Sequence, residues 1–211
     1  KQKLISEIQE NFISELSKQA EKTPFNESIP VALDWVNGRR TPDANQSLKA
    51  AIVNLNLGTM APHIFRALVE AICFGSKKIV DRFEQEGVQI KSVVGIGGVA
   101  KKSPFIMQTL ANVLNMPIKV AVSEQAPALG AAMYAAVASG IYDSMNSAIK
   151  AMGSGFETTY YPQPEMVSTY QKLYQKYETL GEFVEQKIIE SGKNINESNL
   201  AEMDRYWEEA K

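Results

Sequence analysis

Residues 91–140 change hydrophobic period three times, and this alternation limits the possible folds more than any other feature of the chain. "KSVVGI" (91–96) is a short apolar, β-branched run of strand type. Ser103-Pro104 then supplies an N-cap followed by proline at the first helical position, and a helix is expected to about residue 115. "PIKVAV" (117–122) returns to strand, and "APALGAAMYAAVASG" (126–140) reads as a small-residue helix closed by Gly140. Strand, helix, strand, helix in that order argues for helices packed on a sheet, an α/β fold.

The flanking residues extend the same layout. Leu4, Ile8, Phe12 and Leu16 recur every four residues and predict a helix over 4–20, ended by Thr23-Pro24. Residues 31–36 ("VALDWV") and 50–57 ("AAIVNLNL") read as strands, the first followed by the tight-turn pair Asn37-Gly38. Gly58-Thr59 leads into a long helix over 61–86, with Ile64, Leu68, Ile72, Ile79 and Phe83 as its expected buried stripe. Residues 153–165 read as a linker. Beyond it Met166, Tyr170, Leu173, Tyr177, Leu180 and Val184 form a heptad-like seam on a second long helix, expected to pack over the domain. A last acidic segment, 198–210, reads as a short amphipathic helix carrying Leu200, Met203 and Trp207.

Charge and composition exclude several function classes. A net charge of −2 and a pI near 5.6 leave no basic face for nucleic acid. The longest apolar runs are far short of a membrane span. Cys73 is the one cysteine, so no internal disulfide can form, and the usage suits a reducing cytosol. Three N-x-S sequons, at Asn26, Asn45 and Asn196, are then chance matches. The polar opening "KQKLISEIQENF" is no signal peptide, and a start at Lys1 reads as the middle of a longer protein.

Gly95, Gly97 and Ala100 satisfy the G-x-G-x-x-A pattern of dinucleotide-binding folds. Two expectations argue against that reading. The helix signal at Ser103 comes six residues after Gly97, whereas the dinucleotide fingerprint starts its helix inside the glycines. The acidic residue expected at the end of the next strand is also missing, since Glu124 lies past it. What remains is the adjacent pair Gly97-Gly98. Without Cβ atoms, it either admits a flat ligand close to the backbone or forms an ordinary exit turn.

A resemblance bears on that choice. "GIGGVAKKSPFIMQTLANVLNMPIKV" resembles the adenosine motif of the actin-like ATPase superfamily, and in particular that of the FGGY-type carbohydrate kinases. "LNLGTMAPHIFRALVEAICFG" is similar to the family's glycine-plus-helix signature with a His-x-x-Arg-Ala core, and "SEQAPALGAAMYAAVASGIY" to the helix that follows. The resemblance spans roughly residues 25–190. It implies an actin-like, ribonuclease H-like ATPase lobe: a mixed sheet flanked by helices, with a helical C-terminal tail. It also implies three parts. Residues 1–24 would be a helix entering from an upstream lobe, 25–152 the nucleotide-binding lobe, and 153–211 a linker and helices packed on it.

The implied activity is ATP-dependent phosphorylation of a small sugar, with Mg2+ held mainly by the other lobe in cis. The resemblance places Gly97 and Gly98 against the nucleotide and Ser103 near the adenine edge, where many relatives have Asn. Gly58 falls where relatives approach phosphate or ribose with backbone amides. Glu27 and Asp34 fall near the sugar, although a solvated loop charge and a strand-end turn account for them equally well. The Asp-x-Gly-Thr hairpin and catalytic Asp of the family have no counterpart in this chain, so no catalytic residue or metal ligand is expected on it, and the chain alone should be inactive.

Other residues are read structurally. His63 is a polar residue of a helix start rather than a general base, and Cys73 a small core residue rather than a nucleophile. Arg39 and Arg40 are a solvated pair, with a phosphate contact as the alternative; Lys101 and Lys102 are equally ambiguous beside the glycine loop. A reading of another class, a non-catalytic nucleotide-binding or assembly module of the same fold, stays open, as does a homodimer.

Overall fold

In chain order the elements are α1 (Gln2–Lys22), β1 (Val31–Ala32), β2 (Ile52–Val53), α2 (Ala61–Gln85), β3 (Val93–Gly95), α3 (Gly97–Lys102), α4 (Pro104–Leu114), β4 (Ile118–Ala121), α5 (Ala126–Ala138), α6 (Met145–Met152), β5 (Phe156–Tyr160) and α7 (Pro164–Glu190). They come from a computed structural model that describes residues 2–25 and 29–190, with side chains from residue 11 onward. The expected sugar contact Glu27 and the expected helix over 198–210 lie outside the described residues, as do the side chains of Leu4 and Ile8.

The strands form two sheets, where the sequence suggests one. β1 and β2 make an antiparallel pair, Val31 opposite Val53. β3 and β4 pair in parallel, Val93 opposite Ile118, and β4 pairs antiparallel with β5, Ile118 opposite Tyr160. β5 and the start of α7 occupy the stretch read as a linker. Phe156 to Tyr160 is rich in aromatic and Thr residues, which suit a pleated, half-covered edge. The first two strands are shorter than expected for local reasons. Asn54, at φ 65, takes the left-handed conformation that ends β2, and its amide donates to the Ile29 carbonyl at 3.0 Å. After Ala32 the chain turns back on itself, with Val36 N–H donating to the Asp34 carbonyl at 2.9 Å.

Residues 97–102 are a correction as well: they form the short helix α3, starting at Gly97. The loop after the glycines is therefore not long, and helix spacing is no argument against a dinucleotide motif. The missing carboxylate is. Ser103 stands at the expected boundary ahead of Pro104, but its side chain makes no cap hydrogen bond.

The core face of α2 also differs from the aliphatic stripe. Ile72 is 54% and Phe83 48% exposed, while Arg66, Ala67, Val69, Glu70, Ala71, Cys73 and Phe74 are buried. α2 is packed by α1, α4, α7 and β1. Close approach on that scale favours the small side chains Ala67, Ala71 and Cys73, and the space between helices holds an ion pair instead of aliphatic residues. One core gathers Leu33, Trp35, Phe74, Tyr170 and Tyr177, and a second lies against the β3–β5 sheet around Met107, Ala111, Ile118 and Val120. α7 lies over the first core through Tyr170, Leu173, Tyr174 and Tyr177. Among the described residues no helix is long and apolar enough to cross a membrane.

Candidate functional site

The glycine loop leaves the sheet through Gly95. A Cβ there would meet Ala100 Cβ at 3.1 Å and Met107 Sδ at 3.3 Å, so β3 lies hard against α3 and α4. Gly97 has φ +81, a conformation that other residues adopt only under strain. A Cβ on Gly97 or Gly98 would meet nothing within 4 Å, so both present open backbone to solvent. Ile96 and Val99, each more than half exposed, flank the pair with apolar side chains. Beside them a cleft of about 720 Å³ opens between α1 and the α3–α4 corner, lined by Gly98, Lys102, Ser103 and Phe105 and, from α1, by Ser17 and Lys18. Ser103 Oγ is buried there without a hydrogen-bond partner among the described residues. A buried hydroxyl left unpaired costs about 1–3 kcal/mol. Lys101 is committed elsewhere: its ammonium donates to the Val122 carbonyl at 2.5 Å and lies 3.6 Å from Glu157.

Asp34 lines a different cleft, of about 360 Å³, with Trp35, Arg40, Thr41, Lys78 and Tyr177. Its carboxylate accepts a hydrogen bond from the Tyr177 hydroxyl at 3.0 Å. Burial holds the Asp34 carboxyl above its ordinary range, opposed by that bond. The same burial, with the Asp34 charge beside it, pushes the Tyr177 phenol up. Arg39 is not the solvated side chain expected. It is buried, lies 5.2 Å over the Trp35 ring, pairs with Glu185 and donates to the Asp43 carbonyl at 3.0 Å. A guanidinium fits that setting because its flat face stacks on the indole while its edge donates to the oxygens. Arg40 is exposed.

Gly58 lines neither cleft. It sits in an exposed turn ahead of α2, and its N–H donates to Asn56 Oδ1 at 2.8 Å. His63 Nδ1 accepts from the Met60 N–H at 3.1 Å, a structural role at the start of α2. Cys73 is buried, and burial next to Glu70 and Asp34 raises its thiol pKa far from thiolate chemistry. The named residues are thus not all brought together: Gly98 and Ser103 share one cleft, Asp34 another. Sequence reasoning passed over the polar centre between α1, α2 and α7. Arg66 and Glu70 pair at 2.8 Å, both almost fully buried, and Arg66 lies 3.6 Å over the Phe25 ring and donates to the Thr23 carbonyl at the end of α1. Burial raises Glu70, with Arg66 opposing, and lifts the Tyr170 phenol to about 12. The i,i+4 spacing of Arg66 and Glu70 was the available signal.

An open double glycine follows a parallel strand beside a cleft of about 720 Å³, at the strand ends where open α/β sheets generally bind ligands. Residues 1–139 match the C-terminal domain of the FGGY family of carbohydrate kinases. The chain belongs to that family. It is 46% identical over 180 residues to a ribulokinase of Vibrio parahaemolyticus, covering 85% of this chain and 32% of that protein. With a ribulokinase of Bacillus licheniformis the identity is 43% over 169 residues, 78% of this chain and 31% of the relative. Among solved structures, a xylulose kinase from Rhodospirillum rubrum superimposes with a TM-score of 0.72 at 21% identity, over 84% of this chain and 35% of that one. A Plasmodium falciparum glycerol kinase solved with ADP gives 0.64 at 25%, over 82% and 35%. The fold is thus the actin-like ATPase fold of these sugar kinases. The chain spans about a third of the length of the relatives it matches.

Proposed function

We propose that this chain is the nucleotide-side lobe of an ATP-dependent sugar kinase whose substrate is L-ribulose, converted to L-ribulose 5-phosphate in arabinose breakdown. In this reading residues 25–152 form the lobe, 1–24 lead in from a preceding lobe of the same polypeptide, and 153–211 complete the packing. The sugar assignment rests on the ribulokinases among the relatives. Residues 33–45 and 160–177 are also the stretches whose sequence looks most like those enzymes.

One observation carries the nucleotide assignment: the cleft that joins the open backbone of Gly98 to the unpartnered Ser103 hydroxyl. The adenine plane would lie against Gly97-Gly98, where no Cβ intrudes. Ile96 and Val99 would cover its edges, and Ser103 Oγ would exchange a hydrogen bond with the base. Gly58 would present the turn ahead of α2 to the phosphates. Asp34 and Glu27 would face the sugar across the closed cleft. A divalent cation would neutralise charge on the transferred phosphoryl group. Among the described residues no cluster of three His, Cys, Asp or Glu could hold a metal ion, so no step through the cation is assigned to this chain. Its own contribution is to bind and orient the nucleotide.

Calorimetric titration of the chain with ATP and ADP tests the reading. Binding should occur, and should weaken in Ser103→Ala by several-fold, in line with one lost hydrogen bond of roughly 0.5–1.5 kcal/mol. Equal affinity for nucleotide in a folded Ser103→Ala variant would remove Ser103 from the site.

A further inference from the structure

α3 is six residues long, and a helix of that length has little stability of its own. Its packing is slight. Of its six residues only Ala100 is buried, set against Gly95, while Val99 is more than half exposed. Yet α3 carries the backbone of Gly97 and Gly98, so whatever holds the helix also holds the double glycine. Lys101 makes the tie. Its ammonium donates to the Val122 carbonyl at 2.5 Å, one residue past the end of β4, and lies 3.6 Å from the Glu157 carboxylate on β5. Val122 is itself fixed, because its N–H donates to the Gly155 carbonyl at 3.1 Å. The two adjacent lysines therefore differ. Lys102 is exposed and lines the cleft beside Gly98 and Ser103, whereas Lys101 reaches from α3 to the ends of two strands.

We propose that Lys101 is a positioning residue for the nucleotide: by holding α3 to the ends of β4 and β5, it keeps the backbone of Gly97 and Gly98 in the open arrangement that a flat base can approach. The inference rests on the nucleotide reading of the glycine loop and adds a residue that acts on it from behind. Lys101 works through α3 and not by contact, since its ammonium is engaged on the sheet side. Of its two partners the carbonyl matters more. An ammonium on a carbonyl is a charge-assisted hydrogen bond, roughly twice as strong as a neutral one. The pair with Glu157 is longer, and the Glu157 side chain is 37% exposed, a setting in which ion pairs contribute little.

Three variants of the chain test this by calorimetric titration with ADP and ATP, thermal melts and amide hydrogen exchange. Lys101→Met removes the donor from a side chain of similar length. It should raise the nucleotide dissociation constant severalfold and speed exchange of the amides in 97–103, with exchange elsewhere and the melt close to the parent. Lys101→Arg keeps a cationic donor and should restore both the affinity and the slow exchange. Glu157→Gln removes only the ion pair and should shift affinity much less than Lys101→Met. If the parent binds nucleotide and Lys101→Met binds it equally well, the proposal is overturned while the glycine-loop reading stands. A loss of affinity that arginine does not rescue, with a lowered melt and faster exchange throughout, makes Lys101 a general support of the fold and overturns the proposal too. A parent chain that binds neither nucleotide removes the glycine-loop reading, and the proposal with it.

Discussion

Gly97 and Gly98 are neighbours with different requirements. Gly97 has positive φ, so Gly97→Val adds backbone strain of roughly 1–3 kcal/mol wherever the ligand lies. Gly98 has neither a positive φ nor a nearby atom at its Cβ position. Gly98→Val should therefore melt close to the parent chain while raising the nucleotide dissociation constant, with sugar affinity in the full-length enzyme unchanged. Paired melts and titrations separate the two effects, and unchanged nucleotide affinity would make the pair a mere turn. Asp34 offers a test by pH. Its carboxyl keeps a proton to higher pH in the folded state than in the unfolded chain, where aspartate titrates near about 3.9. The folded state then binds more protons, so this group's contribution is full below the unfolded value and is lost as pH rises through the folded one. Tyr177→Phe removes the hydroxyl that steadies the carboxylate. Urea unfolding between pH 3.5 and pH 8 should show a larger fall in stability with rising pH in the variant, and superimposable curves would contradict the role given to that bond.

At the scale of elements, α2 is organised by charge as much as by apolar residues. Arg66 joins Glu70 on its own helix to the C-terminal carbonyls of α1, Ala20 and Thr23, where a cation also answers the helix dipole. Arg66→Met leaves Glu70 buried without its partner, a change that costs about 3–5 kcal/mol. Arg66→Met/Glu70→Leu should recover much of that loss, since an apolar pair of similar volume often replaces a buried ion pair without cost. Urea unfolding of the three chains checks this; equal stability of the single variant and the parent would show the pair to be idle. α7 behaves as its seam predicts at Tyr170, Leu173 and Tyr177, because a helix packed on one side obeys a single period. α2 does not, because neighbours on several sides bury small and charged residues that a count of aliphatics ignores.

For the whole molecule, binding and turnover should come apart. A coupled assay of ADP release with L-ribulose and a panel of other sugars is expected to stay at background, because the chain contains no Asp-x-Gly-Thr hairpin. Positioning and electrostatic stabilisation supply most of the barrier reduction in phosphoryl transfer. Turnover surviving repurification would put the base within these residues and displace the site outlined above. The layout of the fold and the family were legible from the alternation at 91–140 and the three spaced motifs. The partition into two sheets was not, because β1 and β2 have only two residues each and strand pairing is set by partners distant in sequence.

The sequence by itself determined where the glycine loop lies, that a strand precedes it and that α4 begins at Pro104, since proline and glycine act within a few residues of themselves. The tertiary structure alone decided that Gly98 and Ser103 share a cleft with α1 while Asp34 lines another with Tyr177, some 143 residues away along the chain. It also decided that Arg39 is buried against Trp35 and Glu185, and that Arg66 and Glu70 sit between helices. Those outcomes depend on which distant side chains desolvate each charge, and no local period or spacing encodes that.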